Sequence, residues 1–408
     1  MADFGLLEPG AHRVIHLADD DAVAAAMVAV EVAWARAVSA GGGLPEELLA
    51  TVVTTTADWQ PDVAELAAAA EAGGNPVLPL VGQLRKAVAE CDGAAAEAVH
   101  RGLTSQDVLD TALMLVARDV LEVVDADLSR SARALGRLAD AHRDTILVGR
   151  TLTQHAVPIT FGLKSARWLE GVLDAAERVA AVRTALPAQC GGAAGTLSLA
   201  AELVADPLQA AQRFADELGL VWPGAPWHTQ RGPVTRVGDA LVGVTDALGV
   251  IAADLALMAR PELGEVREPG GVGRGASTTM PHKRNPVLSV LVKAAALQAP
   301  LLGAQLHLAA AQAVDERPDG AWHAEWPSLR RLLVLAATAS AQAAEALEGL
   351  RVDSEAMRRR VDAVAEDLVA ERPSGADAVA APEEYLGAAS TFVDHALARL
   401  SAREASRG

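Results

Sequence analysis

The chain has 408 residues, a formal net charge of −18, and a composition that is 51% hydrophobic but only 3% aromatic. This length allows a large buried core and suggests two or three domains. The negative charge argues against nucleic acids and anionic membranes as partners, and an anionic substrate would need a locally positive pocket.

Helical periodicity dominates the chain from residue 20 onwards, whereas strand signals are almost absent. Alanine, leucine and valine form the expected core, and alanine and leucine favour helices. Glycine- and proline-rich breakers separate the helical segments. The predicted helices are 20–40, 45–71, 77–89, 105–143, 158–186, 207–218, 235–260, 286–313 and 328–350.

The long apolar helices predict the fold class. Residues 286–313 are apolar on nearly every face, which is typical of a helix inside a large bundle or an oligomer core. The apolar stretch 234–258 is interrupted by three aspartates, so we predict a bundle helix there rather than a membrane span. We therefore expect an all-α protein with a central bundle of long helices at 99–350, between smaller helical domains at 1–98 and 351–408.

Cysteine and motif content limit the expected cofactors and compartment. Cys91 and Cys190 are too few for a disulfide framework or a zinc site, and the N-terminus lacks the pattern of a signal peptide. We expect a reducing, cytoplasmic setting. There is no zinc-protease, C-x-x-C or phosphate-loop motif, and the G-x-G-x-x-A match at 271–276 has no preceding strand. We expect no cofactor and no metal.

The stretch Arg274–Pro286 combines features of an anion-binding loop. Three consecutive hydroxyl residues begin at Ser277, Lys283 and Arg284 bring positive charge, and Asn285-Pro286 predicts a helix start. A helix N-terminus attracts anions. From composition alone, a surface loop with a good helix cap explains the stretch equally well.

A second patch, His100-Arg-Gly-Leu-Thr-Ser-Gln-Asp-Val-Leu-Asp-Thr111, lies where the 105–143 helix is predicted to begin. Thr104 or Ser105 can cap that helix, and Asp107 suits its first turn. This local interpretation does not explain His100 or the glycine that follows it.

Both patches resemble motifs of the fumarase/aspartase superfamily. The first is similar to the signature loop G-S-S-x-M-P-x-K-x-N-P, from which Ala276 and Thr278 depart. The second is similar to the H-x-G-x-T-S-x-D-x-x-D-T motif of adenylosuccinate lyase and its relatives. The resemblance implies that Ser277 is the catalytic base.

The same resemblance assigns roles to the second patch. It implies that Thr104 and Ser105 grip a substrate carboxylate and that His100 helps proton transfer. Asp107 and Asp110 are expected to be structural. The remaining residues of the two patches that we expect to bind substrate are Gln106, Thr278, Lys283 and Asn285.

A third patch, Gly149-Arg-Thr-Leu-Thr-Gln-His-Ala-Val-Pro158, departs from the superfamily at one position. Many members carry a general-acid histidine where this chain has Leu152, and a leucine cannot move a proton. His155 is the candidate substitute for it, and the alternative is an ordinary surface or core histidine. Arg150 and Gln154 are expected to hold an anion or hydrogen-bond the substrate.

The stretch Gly320-Ala-Trp-His-Ala-Glu-Trp-Pro327 could simply fill a helix junction, but it resembles a G-x-W-x-x-E-W-P block of the 3-carboxy-cis,cis-muconate cycloisomerases. That branch usually has an apolar aromatic residue at the position of Leu152. In the C-terminal part, a short charged connection stands where family members generally have a longer helical domain. Further blocks similar to this branch lie at 74–80, 189–196, 265–269 and 385–389.

The resemblance implies an enzyme that acts without a cofactor on a small polycarboxylate, in a homotetramer whose subunits share active sites. The expected reaction interconverts 3-carboxy-cis,cis-muconate and its lactone through a carboxylate-stabilised carbanion, a step of aromatic-compound catabolism. A carbon–nitrogen lyase acting on a succinyl adduct or another substituted succinate is the alternative, and an inactive helical scaffold is the second. No nucleic acid or membrane partner is expected.

Overall fold

The computed structural model describes residues 5–271, 273–277, 279–280, 282–371 and 381–406, which are mostly helical. The predicted all-α fold class is confirmed. The helices are α1 Asp20–Ala40, α2 Glu46–Ala57, α3 Val63–Gly73, α4 Val77–Ala89, α5 Gly93–Ala98, α6 Ser105–Ala141, α7 Phe161–Thr184, α8 Ser198–Leu203, α9 Pro207–Glu217, α10 Gly232–Met258, α11 Val287–Ala310, α12 Gly320–Glu348, α13 Ser354–Ala363, α14 Ala365–Leu368 and α15 Ala389–Ala405. The short strands are β1 Ile146–Thr151, β2 Gln154–Thr160, β3 Val266–Arg267 and β4 Arg351–Val352.

The segment predicted as one helix at 45–71 is two helices, α2 and α3. Asp62 begins the second helix, because its side chain accepts a hydrogen bond from the backbone N–H of Glu65 at 3.0 Å. Pro61, directly before it, cannot donate a backbone hydrogen bond to a continuing helix. The proline and the aspartate cap together explain the break.

Residues 146–160 form an antiparallel β-hairpin, which helical periodicity did not predict. Thr151 pairs with Gln154, so Leu152 and Thr153 form a two-residue turn with φ angles of 49° and 71°. Two successive positive φ angles characterise the hairpin turn whose twist matches the flanking strands. The hairpin therefore presents Leu152 at its tip, where the side chain is 96% exposed.

The chain divides into two compact units, each built from three stretches. The first comprises Met1–Val123, Val179–Leu241 and Pro300–Ala337, and Trp34 packs edge-on against Phe214 in its core. The three consecutive domains predicted from the sequence are a different division and stay a prediction.

The second unit comprises Val124–Arg178, Val242–Ala299 and Thr338–Gly408. Its core includes Phe161, whose ring packs edge-on against both His142 and Trp168. The second unit also contains the β1–β2 hairpin and both strands of the β3–β4 pair.

Among the residues that the structure describes, three helical segments are long and apolar enough to cross a membrane by length and composition alone: Ile15–Ala40, Gly232–Met258 and Val287–Ala310. In α10 one face is buried in the protein, for example at Leu241 and Leu248, and Asp246 and Asp254 interrupt the apolar sequence. Internal aspartates and a buried face are typical of bundle helices.

Candidate functional site

The His100 patch lies in the first unit, at the start of α6. Thr104 and Ser105 are each 8% exposed, and the N–H of Thr104 donates to Oδ2 of Asp107 at 3.0 Å, as in a helix-start turn. Arg317 donates from Nη2 to the hydroxyl of Thr104 and to the carbonyl oxygen of Ala193. A hydroxyl, a guanidinium and the N-terminus of a 37-residue helix thus lie together, which suits a carboxylate ligand.

Asp107 fixes this region to the loop that follows residue 189. The fully buried carboxylate accepts hydrogen bonds from the N–H groups of Gly191 and Gly192 at 2.9 and 2.8 Å and from Nε2 of His228 at 2.8 Å. With the N–H of Thr104, four donors point at one side chain. Asp107 is structural, as its position in the first turn suggested.

Gln106 is completely buried, and its amide Nε2 donates to the carbonyl oxygen of His228 at 2.9 Å. Its Oε1 is buried and has no hydrogen-bond partner among the described residues. Its amide nitrogen therefore has a partner in the protein, and Oε1 can accept a hydrogen bond from a ligand.

His100 contacts a residue that the sequence motif did not indicate. Its Nδ1 lies 2.6 Å from Oε1 of Glu31, a side chain of α1 that is 1% exposed. His100 itself has a φ of 62°, a conformation that non-glycine residues seldom adopt. The ring is therefore held in place by α1.

The G-x-W-x-x-E-W-P block forms the start of α12, which begins at Gly320 rather than at the predicted residue 328, and it builds a buried ion network in the first unit. Arg231 donates to the carboxylates of Asp110 and Glu325, with shortest distances of 2.6 and 2.7 Å. Trp322 donates from Nε1 to Asp110 at 2.9 Å. Burial disfavours the charged form of Arg231, but Asp110 and Glu325 outweigh it and raise its pKa. Arg231 therefore stays charged and joins α6 to α12.

The hairpin patch lies in the second unit. Arg150 forms a two-pronged ion pair with the fully buried carboxylate of Glu265, with N–O distances of 2.7 and 3.2 Å. His155 is exposed opposite Arg150 on the paired strand, and Gln154 lies at the exposed end of the hairpin beside Thr153. Because Glu265 engages the guanidinium, Arg150 has a structural partner whether or not it also binds substrate.

The hairpin borders a cavity of about 1280 Å³ in the same unit. Arg150 and His155 line it together with Lys164, Arg167 and Arg260. Asp254 pairs with Lys164 at 2.9 Å within this lining. The cavity wall is mainly apolar, and Asp254 and Glu262, which also line it, partly neutralise its basic side chains.

The signature loop closes on itself in the second unit. The N–H and the Nδ2 of Asn285 both donate to the carbonyl oxygen of Gly275, at 2.9 and 3.2 Å. A Cβ on Gly275 would lie 2.4 Å from the carbonyl oxygen of Asn285, and its φ is 65°, so only glycine fits. Asn285 therefore closes the base of the loop.

Ser277 lies inside this loop with backbone donors directed at its hydroxyl. The N–H of Met280 donates to Oγ at 3.1 Å, and that of Thr279 lies at 3.4 Å. Lys283 is exposed, and no ion-pair partner for it exists among the residues that the structure describes. Thr278, also predicted to bind substrate, lies outside the described residues.

The N-terminus of α11 does not serve as the free anion site that the sequence suggested. The N–H groups of Leu288 and Ser289 donate to the carboxylate of Glu268 at 3.1 and 2.7 Å, and the Ser289 hydroxyl adds a third bond. The helix also begins at Val287, two residues after Asn285. A carboxylate of the protein itself therefore already occupies this N-terminus.

The predicted site residues thus form three groups. His100, Thr104, Ser105 and Gln106 belong to the first unit, whereas the hairpin residues and the signature loop belong to the second. Their catalytic and binding roles stay predictions. Within the described ranges, no group of three or more His, Cys, Asp or Glu side chains could hold a metal ion.

Sequence reasoning missed four residues around these groups: Glu31, Glu265, Glu268 and Arg317. Glu31 had a usable signal, because it is a single acid in the otherwise apolar run 22–35. Glu265 and Glu268 belong to the block 265–269, which is similar to the muconate cycloisomerases but to which the sequence comparison gave no role. Arg317 had no signal, since nothing in its loop indicates that it reaches Thr104.

The fold and these groups define a lyase of the fumarase/aspartase superfamily, and the sequence profile of the lyase family matches residues 15–301. The chain belongs to this family. It is 47% identical over 379 residues to the nitrosuccinate lyase of Streptomyces davaonensis, covering 91% of this chain and 80% of that protein. It is 43% identical to the 3-carboxy-cis,cis-muconate cycloisomerase of Bradyrhizobium diazoefficiens, covering 86% and 78%. The crystal structure of 3-carboxy-cis,cis-muconate lactonizing enzyme from Pseudomonas putida superimposes with a TM-score of 0.86 and 32% identity, over 97% of this chain and 99% of that one.

Proposed function

We propose that this enzyme is a cycloisomerase that interconverts 3-carboxy-cis,cis-muconate and its lactone, with Ser277 as the catalytic base. The observation that carries the proposal is the hydroxyl of Ser277 accepting the backbone N–H of Met280 at 3.1 Å. A serine hydroxyl is a poor base unless its deprotonated form is stabilised, and a fixed N–H with a nearby cation does this. Lys283, six residues along the same loop, supplies the cation.

In the direction of lactone opening, deprotonated Ser277 takes the proton from the carbon next to a carboxylate. The electron pair left on that carbon spreads into the carboxylate, whose charge the loop stabilises. The pair then forms the new double bond as the ring C–O bond breaks and the second carboxylate leaves. In the closing direction the carboxylate adds to the double bond and Ser277 returns the proton.

Leu152 is compatible with this reaction. Its side chain is apolar, and it projects from the hairpin tip into solvent in the isolated chain, so it delivers no proton. A carboxylate is a good leaving group and needs little help from an acid. The proposal assigns carboxylate binding to Thr104 and Ser105, and to Arg317, which contacts Thr104.

We also propose a cytoplasmic homotetramer in which subunits share active sites. Helix α11 supports the assembly, because it carries a row of exposed large apolar side chains at intervals that place them on one face. These are Val290, Leu297, Leu301 and Leu308, with exposures of 51%, 77%, 73% and 65%. Light scattering coupled to size-exclusion chromatography measures the assembly, and a monomeric mass would contradict it.

The second candidate reaction is loss of nitrite from nitrosuccinate, and the 47% identity to a nitrosuccinate lyase over 91% of this chain favours it. The same base would remove the proton next to one carboxylate, and the C–N bond would break in place of C–O. Nitrite also leaves without much help from an acid. Leu152 is therefore compatible with both reactions.

One experiment separates the two candidates. The purified protein is incubated in parallel with 3-carboxy-cis,cis-muconate and with nitrosuccinate, and diene absorbance, fumarate and nitrite are followed. We expect loss of diene absorbance with a larger kcat/KM than for nitrite release. Faster nitrite release would make the carbon–nitrogen lyase the function, and no turnover of either substrate would contradict both candidate reactions.

A further inference from the structure

We propose that Glu31 is a positioning residue that fixes the tautomer and direction of the His100 ring for proton transfer. This inference rests on the proposed function, in which His100 assists the proton step. It deepens that function by adding a residue from α1, which carries none of the sequence motifs of the family.

The contact with Glu31 supports one tautomer of His100. Oε1 of Glu31 lies 2.6 Å from Nδ1 of His100, and a carboxylate in its ionised form can only accept hydrogen bonds. In the proposed arrangement Glu31 is ionised and Nδ1 of His100 carries a proton. In the neutral ring, Nε2 is then the atom with a free electron pair. Among the described residues Nε2 has no hydrogen-bond partner, and the His100 side chain is 16% exposed.

The burial of Glu31 is difficult to explain as a contribution to stability. The side chain is 1% exposed, and its second oxygen, Oε2, is buried with no hydrogen-bond partner among the described residues. An ionised oxygen that lacks a partner in the interior destabilises the folded state. Such an arrangement is typical of a group retained for function, and its contact with His100 indicates which function.

The backbone on both sides of His100 is also held. Arg85 donates from Nη2 to the carbonyl oxygen of Val99 at 2.8 Å, and Trp34 donates from Nε1 to that of Arg101 at 2.8 Å. These bonds support a left-handed backbone conformation at His100 that would otherwise relax. Because Trp34 lies three residues after Glu31 in α1, one helix turn holds both the ring and the backbone of this segment.

The test replaces Glu31 with glutamine, which has nearly the same shape. A glutamine amide can donate to Nδ1, so the ring can move its proton to Nε2. We expect Glu31→Gln to lower kcat by about 10- to 100-fold, the range typical of groups that orient a functional histidine, with little change in KM. The thermal midpoint should stay unchanged or rise, since a buried charge has been removed.

A double-mutant cycle tests whether Glu31 acts through His100. In a His100→Gln background, adding Glu31→Gln should have no further effect on kcat. An equal loss in both backgrounds would overturn the proposal, as would full activity of the single variant.

Nitrogen-15 NMR of histidine-labelled protein reads the tautomer independently of turnover. The His100 signals are those missing from His100→Gln, and we expect the Nδ1–H form in the wild type and its loss in Glu31→Gln. An unchanged tautomer in Glu31→Gln would refute a role for the charge of Glu31, because the glutamine carbonyl oxygen can still accept a hydrogen bond from Nδ1. If the wild type turns over neither candidate substrate, the proposed function fails, whereas the NMR result still decides the positioning role.

Discussion

Nε2 of His228 donates a hydrogen bond to Oδ1 of Asp107 over 2.8 Å, although the two residues are 121 positions apart. The same carboxylate accepts the N–H groups of Gly191 and Gly192. This side chain therefore holds the start of α6 against two distant loops, and the hydroxyls of Thr104 and Ser105 depend on it for their position.

We predict that Asp107→Ala destabilises the protein by at least about 3 kcal/mol, because several buried donors lose their acceptor and each unpaired donor costs roughly 1–3 kcal/mol. Urea unfolding followed by circular dichroism measures the change. Asp119→Ala, on the same helix but in an exposed pair with Arg118, is the matched control and should change stability by less than about 1 kcal/mol. Equal effects at the two positions would contradict this account of Asp107.

Ser277→Ala is expected to lower kcat by about 10²–10⁴-fold, the usual range for a residue that transfers a proton. Steady-state kinetics on the substrate that the wild type turns over measures the loss. Thr279→Ala removes a hydroxyl two residues further along the same loop and should have a much smaller effect. Near-normal turnover by Ser277→Ala would remove this serine from the mechanism.

Lys283→Ala should raise KM and lower kcat together, because the exposed cation is proposed both to attract the polycarboxylate and to stabilise the developing charge. Raising the salt concentration should weaken binding by the wild type more than by the variant, since screening acts on the charge that the variant lacks. Kinetics at two ionic strengths provides both measurements. If KM and kcat both stay at wild-type values, Lys283 has neither role.

Glu265→Ala is predicted to destabilise the second unit by about 3–5 kcal/mol, the range for breaking a buried ion pair by removing one partner. The carboxylate is fully buried, and Arg150, at 19% exposure, would lose both of its hydrogen bonds to it. Hydrogen exchange of the β1–β2 hairpin should increase in the variant. A hairpin with unchanged protection would show that this pair does not hold it.

His142 should make the stability depend on pH in a defined direction. Burial lowers the pKa of His142 below its ordinary value of 6.5, so the folded state binds fewer protons there than the unfolded state. The contribution of His142 to the free energy of unfolding is therefore fully present above pH 6.5. It is lost as the pH falls through 6.5 towards the lower pKa of the folded state.

The corresponding variant is His142→Gln. We expect the thermal midpoint of the variant to be lower than that of the wild type at about pH 8. The difference between the two midpoints should become smaller as the pH is lowered to about 5.5, because only the wild type loses the contribution of His142. Thermal unfolding at several pH values gives the two curves. A deficit that widens at low pH would reverse the sign assigned to His142.

The residue patterns along the chain were sufficient for the fold class and marked three candidate patches whose roles stay predictions. Helical periodicity depends on neighbours three and four residues apart, so α6, α7, α10 and α11 could be predicted to within a few residues from local sequence. The signature loop and the His100 patch are contiguous, and their residue types were readable without coordinates. The hairpin was missed because a two-residue turn at Leu152-Thr153 lacks the usual asparagine and glycine.

Local sequence does not show which polar groups already have a hydrogen-bond or ion-pair partner within the protein. Whether the N-terminus of α11 can bind an anion depends on Glu268, whose carboxylate fills it. The partner of His100 lies 69 positions away in an apolar helix, and the partner of Arg150 lies 115 away. Burying an unpaired charge is energetically unfavourable, so charged side chains that are buried on folding pair with oppositely charged groups from distant parts of the chain. Local sequence does not show which groups these are. The sequence alone therefore determined a mainly helical enzyme of the lyase family with a serine-containing loop, and the tertiary structure decided which of its charged groups are already paired.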